Sequence, residues 1–395
     1  MLYTRRDVGR IALAAGLGSG FGSKAVAAAR PNSRIKGVQI GCITYSFRSM
    51  PEQTAEATLK YVTDAGISAV ELMAPPINDW ARKKGKWDAS PAAAAAAAVE
   101  AAAPGRGGGA GRAPRQPAPS DAPVAGMKVG LGNDQASGQW NGQACPAGRG
   151  RGGAPGGQAP GGPAPAAGAG RGRQQTPEQI AASDAARKWR MGLSMDIFKE
   201  LRKMYNEAGV TVYAVKDLPL ETDEDLEFTF SVGKTLGASH VTQELPAGAN
   251  AAATIKRMGD AALKHHMFAA YHTHGQGSMT CFDEAFGISK ASMANIDLGH
   301  MLTNPNAGGT PMDFLNKFHG RTSSVHIKDR TTAAHCSLNL PWGNGETPLK
   351  EILELISRNK WPIPASMELE YEIPEGSDAV KECARCLEYC RKILA

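Results

Sequence analysis

The sequence predicts an α/β protein whose main body is a (β/α)8 barrel, the TIM barrel. Short apolar and β-branched runs alternate with amphipathic segments along the chain, and eight such pairs can be counted. Strict alternation favours a parallel sheet with helical crossovers, and eight units are enough to close it. The part of the chain that carries the pattern has roughly 275 residues, close to the ~250 of a typical barrel.

The predicted strands are short, and several end in polar residues. They cover residues 38–45, 68–73, 210–216, 239–245, 268–273, 294–298, 323–327 and 365–370. The predicted helices cover residues 52–65, 185–208, 223–236, 251–266, 282–289, 312–318, 349–359 and 377–393. Gly66, Gly209 and Gly237 each follow a predicted helix directly, at the position where a left-handed cap favours glycine.

Residues 1–29 stand apart from the predicted barrel. Arg5 and Arg6 precede a short apolar run, and Ala25 to Ala27 offer small side chains for cleavage. This pattern is typical of a twin-arginine export signal and predicts a periplasmic or equivalent extracytoplasmic destination. An amphipathic first helix or a membrane anchor is the alternative, but the run is too short and too rich in glycine to span a bilayer. The mature form is therefore expected to have no membrane association.

Residues 90–175 form a long insertion after the second strand, so the barrel is expected to occupy residues 30–89 and 176–395. The insertion is a mixture of alanine, glycine, proline and arginine with few large apolar side chains, which predicts disorder. Deletion of residues 104–173 is expected to change neither metal content nor turnover. Arginine and glycine repeats also occur in RNA-binding segments, but aromatic residues are nearly absent here.

Charge and cysteine content exclude some classes of function. The formal net charge is +6, but residues 104–173 hold eight arginine or lysine residues against two aspartates, so the barrel itself is mildly acidic. No nucleic-acid partner is expected. The seven cysteines indicate no disulfide framework. The three at positions 383, 386 and 390 lie on one face of the last predicted helix and are expected to pack against the protein core.

Polar side chains cluster where the later predicted strands end. In a (β/α)8 barrel these ends form the mouth that holds the active site. Along strand eight, Met367 and Leu369 alternate with Glu368 and Glu370, so the two carboxylates share one face. The residues that strands four to eight bring to the mouth are Glu244, His272, His274, Asp297, His300, His326, Lys328, Asp329, Arg330, Glu368 and Glu370.

Several carboxylates in one water-poor mouth are costly unless a cation lies among them. A single buried histidine or glutamate is as often structural as functional, but five adjacent strand ends with such residues favour a divalent metal. Mixed imidazole and carboxylate donors favour Mn²⁺, Zn²⁺ or Co²⁺ over Mg²⁺.

The motifs "NIDLGH" and "VHIKD", followed by a glutamate on strand eight, resemble the sugar phosphate isomerase/epimerase family of xylose isomerase-like barrels. "YHTH" resembles the Tyr-His-Asn-His of one large branch. The resemblance covers nearly all of the chain outside the signal and the insertion. It implies that Asp297, His326 and Glu368 are metal ligands and that His300 contacts substrate or metal. Many members have a glutamate on strand five, whereas this sequence has His272 there. The remaining ligand is therefore left open among His272, His274 and Glu244.

The chemistry implied by the resemblance is proton abstraction next to a carbonyl of a sugar, through an enediolate that a divalent metal stabilises. Glu368 or Glu370 is the expected base, with Glu244 as the second candidate. Lys328 is expected to stabilise the oxyanion or to hold a hydroxyl, or else to form a salt bridge with a ligand carboxylate. His274, His300 and Arg330 are expected to orient the substrate. The absence of a strand-five glutamate weakens a two-glutamate epimerase mechanism.

The expected substrate is a small, non-phosphorylated sugar or keto-sugar. Expulsion of a leaving group from the same intermediate would make the protein a lyase or dehydratase acting on a 3-keto-glycoside. A non-catalytic sugar-binding protein is the alternative of another class. The sequence leaves open which sugar is used, which metal is bound and how many subunits assemble.

Overall fold

Eight parallel strands close into the predicted barrel. The computed structural model describes residues 30–85, 130–131, 139–140, 143–145 and 176–395. In these residues the strands are β1 (Arg34–Ile35), β2 (Val38–Ile43), β3 (Ala69–Met73), β4 (Gly130–Leu131), β5 (Gln139–Trp140), β6 (Gln143–Ala144), β7 (Thr211–Lys216), β8 (His240–Glu244), β9 (Phe268–His272), β10 (Ser292–Asp297), β11 (Thr322–Ile327), β12 (Asp329–Arg330), β13 (Leu338–Leu340) and β14 (Ala365–Met367). The barrel order is β2–β3–β7–β8–β9–β10–β11–β14, and β14 pairs back onto β2.

Helices follow the strands and cover the outside of the barrel. They are α1 (Ala55–Asp64), α2 (Ala74–Lys84), α3 (Pro177–Met191), α4 (Asp196–Glu207), α5 (Asp223–Leu236), α6 (Ala251–His265), α7 (Asp283–Ile288), α8 (Leu298–Thr303), α9 (Pro311–Phe318), α10 (Leu349–Arg358) and α11 (Ala379–Ile393). Short 3₁₀ turns occupy Thr44–Phe47 and His319–Arg321. The predicted fold class is confirmed.

The helices are held on the barrel by apolar stripes and by local caps. α10 buries Leu349, Ile352 and Ile356, three residues at helical spacing. Burying one such side chain fully contributes about 1.5–3 kcal/mol. α5 begins with a capping box, in which Thr222 and Asp225 each accept a hydrogen bond from the other's backbone N–H.

The helices differ from the predicted ones in three places, one of which is the short helix α8 (Leu298–Thr303), which was not predicted. The single helix predicted over residues 185–208 is two helices, α3 and α4. Gly192 disfavours a continued helix, and the Ser194 side chain instead accepts a hydrogen bond from the N–H of Asp196 at 3.2 Å. Helix α2 was also not predicted; its Pro75 and Pro76 both lie in the first turn, where proline is tolerated.

Part of the predicted insertion is joined to the barrel mouth. β4 pairs antiparallel with β13, and β13 pairs with β12. Cys145 forms a disulfide with Cys336, which lies 191 residues further along the chain. The sequence did not indicate this single disulfide, and the described pieces of the predicted insertion contact residues 334–339 or one another. The remainder of the predicted insertion and the predicted signal, residues 1–29, lie outside the described residues.

Among the described residues, we find no helix with the length and apolar character that crossing a bilayer requires.

Candidate metal centre at the barrel mouth

Four polar residues meet at the carboxyl ends of neighbouring strands: His272, Asp297, His326 and Glu368, called the ligand cluster below. Each residue offers one ligand atom, and these atoms all lie within 4.8 Å of one another. The strand register explains the meeting, because Asp297 pairs with His326 and stands one strand from His272. Glu368 follows β14, and its N–H still donates to the Ile327 carbonyl at 3.1 Å. All four are at most 5% exposed.

His272 is held in one tautomer by Asn295. The amide nitrogen of Asn295 donates to Ser324 Oγ at 2.6 Å, so its oxygen must accept. Nδ1 of His272 lies 2.8 Å from that oxygen and therefore carries the ring proton. Burial, with Lys216 and His326 nearby, lowers the pKa of His272 to about 3. The ring is thus neutral, and its Nε2 lone pair is available to a metal.

Asp297 has two carboxylate oxygens with different surroundings. Oδ1 caps α8 by accepting a hydrogen bond from the His300 N–H at 2.8 Å. Oδ2 is buried and accepts no hydrogen bond of good geometry, although it lies 2.8 Å from Lys328 Nζ. Burial alone would raise the pKa of Asp297, but Lys328 and His300 lower it to about 2. Asp297 is therefore ionised, and the ammonium of Lys328 is the cation that its Oδ2 faces.

His326 lies between two carboxylates. Its Nδ1 is 2.9 Å from Glu368 Oε2, and its Nε2 is 2.8 Å from Glu71 Oε2. Burial would lower the pKa of His326, but Glu71 and Glu368 raise it to about 10. A cation between His326 and Glu368 would replace the Nδ1 proton, while Glu71 would keep the proton on Nε2.

Lys328 is the cation that the structure itself contains in this region. Its Nζ lies 2.8 Å from Asp297 Oδ2, 3.0 Å from Glu368 Oε2 and 2.6 Å from Glu370 Oε2. The side chain passes Gly299 so closely that a Cβ there would collide with Lys328 Cγ. The salt bridge expected as an alternative role is therefore present.

A second group of donors lies beside the ligand cluster. Glu244, His272 and His274 also bring one ligand atom each within 4.8 Å of one another. Glu244 is already paired, with Lys216 Nζ at 2.9 Å and His274 Nδ1 at 3.1 Å. Burial would raise the pKa of Glu244, but Lys216, His272 and His274 outweigh it and lower that pKa. Of the three residues left open by the sequence, His272 is the one in the ligand cluster.

The outer part of the mouth holds Glu370, His300 and Arg330. The Glu370 side chain is 21% exposed, against 7% for Glu368, and its Oε2 lies 3.6 Å from His300 Nε2. Arg330 is fully buried and donates to His300 Nδ1 at 2.7 Å. His274 contacts this group edge-to-face, with its ring centroid 5.0 Å from that of His300.

The sequence analysis did not identify Glu71, Lys216 or Asn295 as residues of the site. Glu71 and Lys216 are charged residues inside otherwise apolar predicted strands, and such residues are rarely buried without a partner. That rule was a usable signal for both. Asn295 offered a weaker signal, because a buried amide has many ordinary roles.

The residues present fit a divalent cation. The cluster supplies two imidazoles and two carboxylates, a donor set suited to first-row transition metals. Each carboxylate has two oxygens, so one oxygen can face Lys328 while the other faces a metal. His272 Nε2, His326 Nδ1 and a carboxylate oxygen from each of Asp297 and Glu368 are the atoms that would hold it.

No protein-family model matches the chain, and no curated protein matches it. Among solved structures, a sugar phosphate isomerase/epimerase from Parabacteroides distasonis is 13% identical with a TM-score of 0.48, over 90% of this chain and 94% of that one. A xylose isomerase domain protein from Planctomyces limnophilus is 13% identical with a TM-score of 0.41, over 51% of this chain and 82% of that one. A D-psicose 3-epimerase crystallised with D-fructose is 14% identical with a TM-score of 0.41, over 53% of this chain and 87% of that one.

Other solved structures that this chain resembles also carry the names sugar phosphate isomerase/epimerase or xylose isomerase.

Proposed function

We propose that this protein is a metal-dependent sugar isomerase or epimerase that moves a proton on a carbon next to a carbonyl. The observation that carries the proposal is the ligand cluster, four buried donors within 4.8 Å at the end of the barrel where active sites lie. A divalent cation held there would supply Lewis acidity to neighbouring carbonyl and hydroxyl oxygens of the sugar. Mn²⁺, Zn²⁺ and Co²⁺ suit the two imidazoles better than Mg²⁺.

Glu370 is the proposed base. Glu368 is committed to His326 and to the ligand cluster, whereas Glu370 reaches further into the mouth and is more exposed. Its hydrogen bond from Lys328 Nζ at 2.6 Å fixes the direction of the carboxylate. The same ammonium can stabilise negative charge that develops on a substrate oxygen.

His300 beside Glu370, and His274 and Glu244 further along the mouth, are proposed to hold the substrate hydroxyls. Glu244 is ionised and lies beside His274, so it is the second candidate for a proton-transfer group. Two carboxylates on different parts of the mouth would allow a proton to leave one face of a carbon and return to the other. Glu244 would then supply the second carboxylate that the missing strand-five glutamate takes away.

A neutral substrate is favoured by the pairing of the cations near the mouth. Lys328 contacts three carboxylates, Lys216 contacts Glu244, and Arg330 is committed to His300 and the Ser337 carbonyl. A phosphate group would have to compete with these partners. Export through the predicted twin-arginine signal remains part of the proposal, and the Cys145–Cys336 disulfide suits an oxidising compartment.

The test begins with metal-free protein, prepared with a chelator and reloaded separately with Mn²⁺, Zn²⁺, Co²⁺ or Mg²⁺. Each form is incubated with ketoses, aldoses and 3-keto-glycosides in deuterated water, and products are followed by NMR. We expect an isomer or epimer with solvent deuterium on the carbon next to the carbonyl. Glu370→Gln should keep the metal but lower turnover by about 10²–10⁴-fold.

The other outcomes separate the alternatives. Loss of a group from the glycoside would identify a lyase, since elimination follows the same proton abstraction. Sugar binding without stoichiometric metal and without deuterium exchange would identify a binding protein and overturn the proposal. Full turnover by Glu370→Gln would remove Glu370 from the role of base.

A further inference from the structure

A tight turn lies beside the mouth, between β12 and β13. We call residues 331–337, which connect these two strands, the rim loop. The N–H groups of His335 and Ser337 both donate to the Thr332 carbonyl, at 3.0 and 2.9 Å. Cys336 and Ser337 have φ of +75° and +50°, a left-handed conformation that is unfavourable for residues other than glycine. Other contacts must therefore hold the rim loop in this shape.

The insertion supplies such contacts. β4 pairs with β13 directly after the rim loop, and the Gln139 N–H donates to the Ala334 carbonyl at 3.3 Å. Cys145 is bonded covalently to Cys336, the first of the two left-handed residues. Cys145 also packs with Cys336, Leu338 and Leu340 in a small apolar cluster that is separate from the barrel core.

The rim loop in turn contacts the mouth through Arg330. The guanidinium donates to the Ser337 carbonyl at 2.6 Å and to His300 Nδ1 at 2.7 Å. An arginine side chain can only donate, so Nδ1 of His300 must accept and the ring proton must be on Nε2. That nitrogen lies 3.6 Å from Glu370 Oε2. Arg330 thereby presents His300 to the mouth as a hydrogen-bond donor.

We propose that the inserted segment is a positioning element of the active site. The disulfide holds Cys336 and Ser337, the Ser337 carbonyl holds Arg330, and Arg330 holds His300 as an Nε2–H donor to a substrate oxygen. This reverses the expectation from sequence that the insertion is dispensable. The donor role toward substrate rests on the proposed function, whereas the link from the disulfide to the His300 tautomer does not.

The test uses the whole chain labelled with ¹⁵N-histidine and compares the wild type with Cys145→Ser. In the wild type, His300 should give one tautomer with an unprotonated Nδ1, and the signal is assigned by its loss in His300→Gln. In Cys145→Ser, and in wild type reduced with dithiothreitol, we expect a mixture of tautomers. Cys281→Ser, which removes a free thiol, is the matched control and should match the wild type.

The kinetic arm uses whichever sugar the protein turns over. Loss of a positioned donor should raise KM by about 5–10-fold in Cys145→Ser, with a smaller change in kcat. A His300 tautomer and a KM that both stay unchanged after the disulfide is lost, with the loss verified by mass spectrometry, would overturn the inference. If no sugar is turned over, the proposed function fails, and the NMR comparison still decides the positioning role. Reduction of the intact wild type provides the same test if Cys145→Ser does not fold.

Discussion

The ligand cluster and the rim loop lie at the same end of the barrel but are built differently. Three of the four cluster residues belong to barrel strands, and Glu368 directly follows one. The rim loop lies outside the barrel sheet and depends on a three-stranded sheet and a disulfide to a distant segment. One region is placed by regular strand pairing, the other by contacts between parts of the chain that are far apart in sequence.

The ligand cluster and the rim loop should therefore tolerate substitutions to different degrees. A strand end cannot move without disturbing the pairing on both sides, so the ligand cluster has little freedom. The rim loop can shift when its tether is lost, because its own short hydrogen bonds leave two residues in an unfavourable conformation. Substitutions in the cluster should therefore remove function, and substitutions at the rim should adjust it.

The largest expected effect is the loss of metal from the ligand cluster. Asp297→Asn and His326→Ala each remove a proposed ligand, so the affinity for the metal should fall by more than about 100-fold and turnover should disappear. Metal content per chain and competition with a chelator measure the effect, and circular dichroism should be unchanged. Asp225→Asn is the matched control, because Asp225 is equally buried but lies on α5 with arginine partners. Normal metal content in Asp297→Asn would contradict the assignment.

The second-largest expected effect concerns Glu71, which contacts a residue of the ligand cluster but is not itself a proposed ligand. Glu71 accepts from His326 Nε2 at 2.8 Å, and burial of Glu71 would raise its pKa, but His326 lowers that pKa to about 2. Glu71→Gln keeps an acceptor but removes the charge that makes His326 a stronger ligand. We expect the affinity for the metal to fall by about 10-fold, within the range typical of such partners.

The control for Glu71→Gln is Glu382→Gln. Glu382 is as deeply buried and accepts a hydrogen bond from Tyr371, but it belongs to the C-terminal helix α11. Its substitution should lower the stability of the protein and leave metal affinity unchanged. Equal metal affinities for Glu71→Gln and wild type would show that His326 needs no charged partner.

Much of the ligand cluster could be predicted because strand periodicity is local. The alternation of Val325 and Ile327 with His326 and Lys328 is enough to predict which side chains face the mouth. Barrel closure then brings together ends that follow one another along the chain. The length of strand eight was overestimated, since β14 ends at Met367, but the alternation carries on to Glu368 and Glu370.

The partners of these residues could not be predicted, because they depend on distance in space rather than in sequence. Glu71 meets His326 at a separation of 255 residues, across the barrel interior. The bond between Cys145 and Cys336 has the same character, since seven cysteines allow many pairings and spacing selects none of them. A charged residue in an apolar strand shows that a partner is needed but does not name it.

The smallest expected effect concerns stability alone and lies far from both regions. Asp225 accepts from Arg190 at 3.0 Å and from Arg187 at 3.2 Å, which fastens α3 to α5. Asp225→Asn should lower the free energy of unfolding by about 2 kcal/mol, the usual size for hydrogen bonds to a charged group. Urea unfolding measures the change, and a midpoint equal to that of the wild type would contradict it.

The ion pairs of Asp225 with Arg190 and Arg187 also predict how the stability of the protein changes with pH. Burial would raise the pKa of Asp225, but Arg190 and Arg187 lower it below the ordinary value of 3.8. Because the folded pKa is the lower one, the stabilisation is present above pH 3.8 and is lost as the pH falls below that value. Asp225→Asn should therefore unfold with a flatter pH profile below pH 4, while its metal affinity at neutral pH stays that of the wild type. A steep profile in both proteins would assign the acid sensitivity to the carboxylates of the mouth instead.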